Sequence, residues 1–136
     1  ALRAFHAPVF ITHSREDQGS HKPHTMSVLE IYGWPSDALL PSSPNALLHT
    51  LSRVSQLTQN DGIVLFTCRD GVTGCGVATS LCLILERYHH LRLIDVFKSV
   101  MSVKYDRPQF IYDLEQYKFL FTAAKSHLES ARPSIS

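Results

Sequence analysis

The sequence predicts an α/β fold, and three features of its patterning lead there. Ile63 to Thr67 is a continuous apolar run of the kind that forms a strand covered on both faces. Helical apolar periodicity precedes that run and follows it. Turn-forming clusters, Gly33 with Pro35 and Asn60-Asp61-Gly62, separate the periodic stretches.

Along the chain, Ala7 to His13 reads as a short strand, followed by a polar, His-rich loop from Ser14 to His24. Met26 to Tyr32 alternates Met26, Val28, Glu30 and Tyr32 against Leu29 and Ile31, which predicts a second strand. Ser43 before Pro44 is a helix start: the hydroxyl accepts an orphan N–H and proline tolerates the first turn. That helix is expected to reach about Gln59, with Leu47, Leu48, Leu51, Val54 and Leu57 on one face. Gly74 to His89 predicts an apolar helix, and Ile94 to Tyr105 another that Arg107-Pro108 terminates. A last helix begins at Asp113, where Asp113 and Gln116 have capping-box spacing, with Leu114, Tyr117, Phe119, Leu120, Phe121 and Ala124 as its apolar surface. The expected organisation is one partial domain over residues 1–130 and a disordered tail over 131–136. A first residue that is Ala and not Met suggests a chain taken from something longer.

Composition narrows the function classes. The 136 residues carry thirteen Lys and Arg against twelve Asp and Glu, a formal net charge of +1, so no strong field points toward nucleic acid or anionic membrane. The apolar runs fall short of the roughly 20 residues a membrane span needs, so no direct membrane insertion is expected. Three cysteines, Cys68, Cys75 and Cys82, fit reduced thiols better than a disulfide framework. Cys75 and Cys82 read as core residues of one helix rather than a redox pair. His13, His21 and His24 lack a convincing fourth ligand, so neither a metal nor any other cofactor is expected.

The chemistry concentrates in Cys68-Arg69-Asp70-Gly71-Val72-Thr73-Gly74, between the apolar run and a helix. Strand, loop, then helix brings successive backbone N–H groups and a helix N-terminus to one point, which favours anions. A cysteine there is a candidate nucleophile toward phosphorus. Read from this loop alone, Cys68 is equally a small buried hydrophobe.

Several separate stretches, in order, resemble the protein tyrosine phosphatase family over nearly the whole chain. Trp34-Pro35 sits where the family's Trp-Pro-Asp loop begins, Cys68 heads the Cys-x5-Arg loop, and Ile94-Asp95-Val96-Phe97, Arg107-Pro108 and Glu115-Gln116-Tyr117 follow at family spacing. The Cys-Arg-Asp-Gly wording is most similar to the membrane-distal, second phosphatase domain of receptor-type members. The resemblance covers only the later half of the family's domain. It implies a central twisted sheet with helices on it, a cysteinyl-phosphate chemistry at Cys68, and a cytoplasmic position in a single-pass receptor.

Set against that implied chemistry, the sequence departs at most of the decisive positions. The arginine that grips the phosphoryl group falls on Gly74, and the following hydroxyl residue is Cys75. The general acid falls on Ser36, with Asp37 one residue late. The water-orienting glutamine falls on Tyr112, while Gln116 keeps the second glutamine of that region. Asp70 adds a carboxylate to a loop that would receive a dianion, and Arg69 is expected to neutralise it, not to replace the missing guanidinium. Trp34 is expected to anchor its loop by packing. The resemblance therefore implies a catalytically silent domain acting on protein partners, an adjacent catalytic phosphatase domain or a phosphoprotein. A weak phosphatase using Cys68 with Asp37 as makeshift acid is the alternative, and redox sensing at Cys68 a third.

Overall fold

The computed structural model describes residues 2–9, 24–31, 34–35, 37–58 and 63–131, with residues 2–9 and 24–26 described by their backbone. Strand β1 (Leu2–Val9) pairs antiparallel with β2 (His24–Ile31), from Leu2 opposite Ile31 to Val9 opposite His24. Four helices follow: α1 (Pro44–Leu57), α2 (Thr73–Leu91), α3 (Val96–Asp106) and α4 (Leu114–Ser130). The first strand begins five residues earlier than its apolar pattern suggested, because the ladder with β2 sets its extent and reaches back to Leu2. His13 and His21, most of the Ser14–His24 loop, Ser36, Asn60-Asp61-Gly62 and the tail from 132 lie outside the described residues.

The helix boundaries follow local chemistry. Ser43 accepts from Asn45 N and starts α1, which ends at Leu57 when the hydroxyl and amide of Thr58 both turn back to Val54 O. Asp95 accepts from Lys98 N at 2.8 Å and starts α3 two residues later than the apolar pattern does. Asp113 caps α4 through Glu115 N at 2.7 Å. The expected reciprocal capping box does not form, since the Gln116 side chain reaches past Asp113 to accept from Tyr112 N at 3.1 Å.

Helix α2 is the centre of the helical assembly, touching α1, α3 and α4. Its Val77, Leu81 and Ile84 are fully buried with Leu47 of α1 and Leu120 and Ala123 of α4, and Val96 and Val100 of α3 close the cluster. Trp34 and Ile31 pack on its margin. Two apolar residues assigned to the buried face of α4 are exposed instead, Leu114 at 63% and Phe121 at 50%; Phe119, Leu120, Ala123 and Ala124 take the inward positions. Leu57 at the last turn of α1 is likewise exposed.

The buried strand expected at Ile63 to Thr67 is overturned. No strand is assigned there, Ile63 is 98% exposed and Leu65 75%, and the sheet among the described residues is the β1–β2 pair. A strand is defined by a neighbour's hydrogen bonds, and β1–β2 does not supply them to this run. The class remains α/β, with the helices as its larger described part.

Candidate functional site: the Cys68 loop

Phe66 leads the chain out of the apolar run and packs on both core clusters, which fixes where Cys68 stands. The loop turns at Gly71, whose φ of 68° is a left-handed conformation that glycine adopts without a side-chain penalty. Helix α2 then begins, and its first backbone bond runs from Gly76 N to Val72 O at 2.7 Å. Of the strand, loop and helix-start arrangement expected from the sequence, the loop and the helix start are present and the strand before them is not.

Two amides of this loop are already taken by a negative charge. Asp70 Oδ1 accepts from Val72 N and Thr73 N, both at 2.9 Å, and Oδ2 accepts from the Thr73 hydroxyl at 2.5 Å. The Cys68 thiol donates to Oδ1 at 3.3 Å. These bonds, that from the Thr73 hydroxyl first, hold the Asp70 carboxyl far below the usual carboxylate range. The ion is therefore present at any ordinary pH. Arg69, expected to neutralise it, is exposed and makes no ion pair among the described residues; two helix-start amides and a hydroxyl stabilise Asp70 instead.

Cys68 and Cys75 face each other across the turn. Cys75 N donates to Cys68 Sγ at 3.4 Å, and the Cys75 thiol donates to Phe66 O at 3.4 Å. Burial, with the Cys68 thiol beside it, pushes the Cys75 thiol up to about 11. Burial likewise raises Cys82 to about 11. Both fit core thiols. Gly74 stands hard against Cys68: a Cβ at that position would lie 3.1 Å from Cys68 Cβ and 3.9 Å from the ring of Trp34. The position to which the sequence reading assigned the family's arginine is a close contact between α2 and the cysteine.

The Trp34 side chain is half-buried, with its indole N–H donating to Ala38 O at 3.2 Å, while Ala38 N donates to Pro35 O at 3.0 Å. Trp34 so ties down a tight turn whose Asp37 is exposed. Ser36 lies outside the described residues. Tyr112 is brought to the loop from the other side, its hydroxyl 3.2 Å from the Thr73 hydroxyl. Because the single Thr73 proton goes to Asp70, Tyr112 is the donor in that contact. Gln116 is fully buried; its Oε1 serves Tyr112 N, and its Nε2 finds no partner among the described residues.

Two cations that sequence reasoning left unassigned shape this region. Lys104 Nζ donates to Pro108 O, Phe110 O and Ile111 O at 2.9, 2.8 and 3.3 Å. It gathers a bend in which Ile111, a β-branched residue, is held at φ 49°. That strained residue directly precedes Tyr112. Arg107 lies over the Phe110 ring, 5.3 Å from its centroid, and lines a cavity of about 540 Å³ with Val64, Phe66, Cys68, Thr79 and Phe110. Only the Arg-Pro ending of α3 hinted at either, and it carries no information about three converging carbonyls. Among the described residues no group of three or more metal-ligating side chains occurs.

Comparison with known proteins places this geometry. The protein-tyrosine phosphatase family model matches residues 6–126. A receptor-type tyrosine-protein phosphatase of Caenorhabditis elegans is 29% identical over 123 residues, covering 87% of this chain and 9% of the relative. The receptor-type phosphatase alpha of Mus musculus is 26% identical over 90% of this chain and 14% of its own length. The chain thus spans a small fraction of these relatives. A crystal structure of a Trypanosoma cruzi protein tyrosine phosphatase superposes with a TM-score of 0.69 at 21% identity, covering 93% of this chain and 41% of that one. A Trypanosoma brucei counterpart gives 0.66 at 20%, over 93% and 43%. These two share the fold. Matched across 6–126 of its 136 residues, the chain belongs to the protein-tyrosine phosphatase family.

Proposed function

We propose that this chain is a catalytically silent phosphatase-like domain, of the second-domain type, on the cytoplasmic side of a receptor-type protein. It acts through contacts with protein partners, foremost an adjacent catalytic phosphatase domain. The observation that carries this reading is Asp70: its carboxylate holds the Val72 and Thr73 amides and the Thr73 hydroxyl, donors an incoming phosphoryl group would require. A dianion entering beside that ion meets a like charge and finds those donors engaged.

The replaced side chains support the same reading. Gly74 offers no guanidinium, and loss of an arginine clamp forfeits about 10³–10⁵-fold by analogy with arginine fingers. Ser36 cannot protonate a tyrosyl leaving oxygen at neutral pH, which forfeits about 10²–10⁴-fold more. Tyr112 hydrogen-bonds into the Asp70 cluster, so it braces the loop and does not orient a water.

The runner-up is a weak phosphatase in which Cys68 attacks phosphorus, and the bond from Cys75 N to Cys68 Sγ favours it. An aryl phosphate assay beside a Cys68→Ser control separates the two. No turnover above the control is expected, and turnover that disappears in the control sinks the silent reading. In parallel, tungstate binding is expected to be undetectable in the native chain and to appear when Asp70→Ala is combined with Gly74→Arg.

A further inference from the structure

We infer that Tyr112 is a phosphorylation site for a protein tyrosine kinase, and that the phosphate unlocks the Asp70 turn of the Cys68 loop. The inference stands whether or not Cys68 turns over.

Among the described residues the well-exposed tyrosines are Tyr105, at 89%, and Tyr112, at 59%. A kinase must place its acceptor hydroxyl in line with the γ-phosphate, which calls for a segment that can enter its cleft in extended form. Tyr105 is built into the last turn of α3, with Lys104 before it and Arg107 soon after. Tyr112 lies between α3 and α4 and belongs to neither helix. Asp113 and Glu115 follow it, and no Lys or Arg occurs from 108 to 117, the kind of charge pattern by which kinases select substrates. The residue before it, Ile111, is held at φ 49°, so straightening this bend releases strain.

In the transfer, the Tyr112 phenolic oxygen attacks the γ-phosphorus of a nucleoside triphosphate on the kinase. The new P–O bond replaces the one to the β-phosphate, the diphosphate leaves, and the phenolic proton passes to the kinase's catalytic carboxylate.

The contact that Tyr112 makes cannot survive this change. Thr73 spends its hydroxyl proton on Asp70 Oδ2 at 2.5 Å, so the 3.2 Å contact holds only because Tyr112 donates. Phosphotyrosine has no phenolic proton and carries about −1.5 to −2 charge at pH 7. Oxygen then faces oxygen, with the Asp70 carboxylate one hydrogen bond further on. Among the described residues no Lys or Arg is bonded to Asp70, Thr73 or Tyr112 to absorb the added charge. Either Thr73 turns its proton to the phosphate or the turn moves apart. Both outcomes take from Asp70 the shortest bond it accepts and loosen its hold on the Val72 and Thr73 amides.

The test treats the full 136-residue chain with a purified tyrosine kinase domain and Mg-ATP, using a kinase that phosphorylates a peptide of residues 107–116, whose one tyrosine is Tyr112. Mass spectrometry maps the phosphate, and amide hydrogen exchange reads Val72 and Thr73. The expected result is phosphate chiefly on Tyr112, with exchange at Val72 and Thr73 faster on the order of tenfold. Tyr112→Phe, which deletes the hydroxyl without adding charge, is expected to change that exchange by less than about threefold. Cys68→Ser is mapped in parallel: phosphate that stays on Tyr112 only in this variant would count against the silent reading above and still support this one. The inference is overturned by no phosphate on Tyr112 in either protein, by phosphate on Tyr105 in its place, or by phosphate on Tyr112 that leaves Val72 and Thr73 exchanging as before. Equal acceleration in Tyr112→Phe would overturn it too, since the lost bond and not the charge would then be the cause.

Discussion

The chain on the two sides of Cys68 meets the same physical demand in opposite ways. After Cys68, Asp70 closes the hydrogen-bond needs of the turn from within three residues, and α2 then bonds its own backbone. Before Cys68, residues 63–67 have equally demanding backbone and more apolar surface, but a strand cannot satisfy itself. They stand exposed. The difference teaches that the hydrogen bonds of the loop are locally encoded, whereas those of an extended run cannot be supplied by its own neighbours in sequence.

The sharpest way to break this contrast is to remove the same atoms on each side. Leu81 is fully buried at the centre of α2, so Leu81→Ala leaves a cavity and is expected to lower stability by about 2–5 kcal/mol. Leu65→Ala deletes identical carbons from an exposed site and is expected to change stability by less than about 0.5 kcal/mol. Thermal or urea unfolding of the isolated chain decides it. Similar losses for the two variants would show that 63–67 is packed in solution.

The next effect tests how tightly the loop is seated. A Cβ at Gly76 would lie 3.1 Å from both Cβ and Cγ of Phe110 and 3.3 Å from its Cα. Gly76→Ala therefore gains helix propensity but must displace Phe110, a net destabilisation of about 1–3 kcal/mol. If melting instead shows Gly76→Ala stabilising, the Phe110 contact is soft and the contrast with the open side weakens. A smaller loss, roughly 1 kcal/mol, is expected from Lys104→Met, which frees three carbonyls. Its signature is local, with faster amide exchange at Phe110 to Tyr112 and a relaxed Ile111 φ.

How much could be read beforehand follows the same division. The four helices were legible because caps such as Ser43 and Asp113 and the spacing of Leu47 with Leu51 are local signals, while the Asp95 cap that sets the start of α3 was passed over. The 63–67 strand was legible as a pattern but not as a structure, since pairing is non-local. At the site, the positions of Cys68, Gly74 and Tyr112 in the loop's surroundings came from motif spacing. The bonds of Asp70 to Val72 and Thr73 follow a familiar Asp habit of bonding amides two or three residues on, and could have been anticipated. The clamp of Lys104 on 108–111 could not, because it depends on how the bend after α3 folds back.

The smallest effect probes the far end of α2, where Tyr88 and His89 meet His127 of α4 with ring centroids 5.8 Å apart in each case. Burial, and then the neighbouring His89, lowers the His127 pKa below its ordinary 6.5. The folded chain consequently binds fewer protons here than the unfolded one, so stability rises with pH through this window and is lost as pH falls below about 6.5. Arg92, over the Tyr88 ring at 5.6 Å, adds positive charge at this end, and the carboxylate of Glu129 is drawn to Lys125 at 3.8 Å. His127→Phe keeps an aromatic edge toward Tyr88 without the titrating nitrogen. Melting of both proteins at about pH 7.5 and about pH 5.5 should show a larger acid loss in the native chain, with faster intrinsic-rate-corrected exchange at the ends of α2 and α4 and none at 63–67. Equal acid losses would remove His127 as the cause, and a response at 63–67 would mean that the closed and open sides of Cys68 are mechanically coupled.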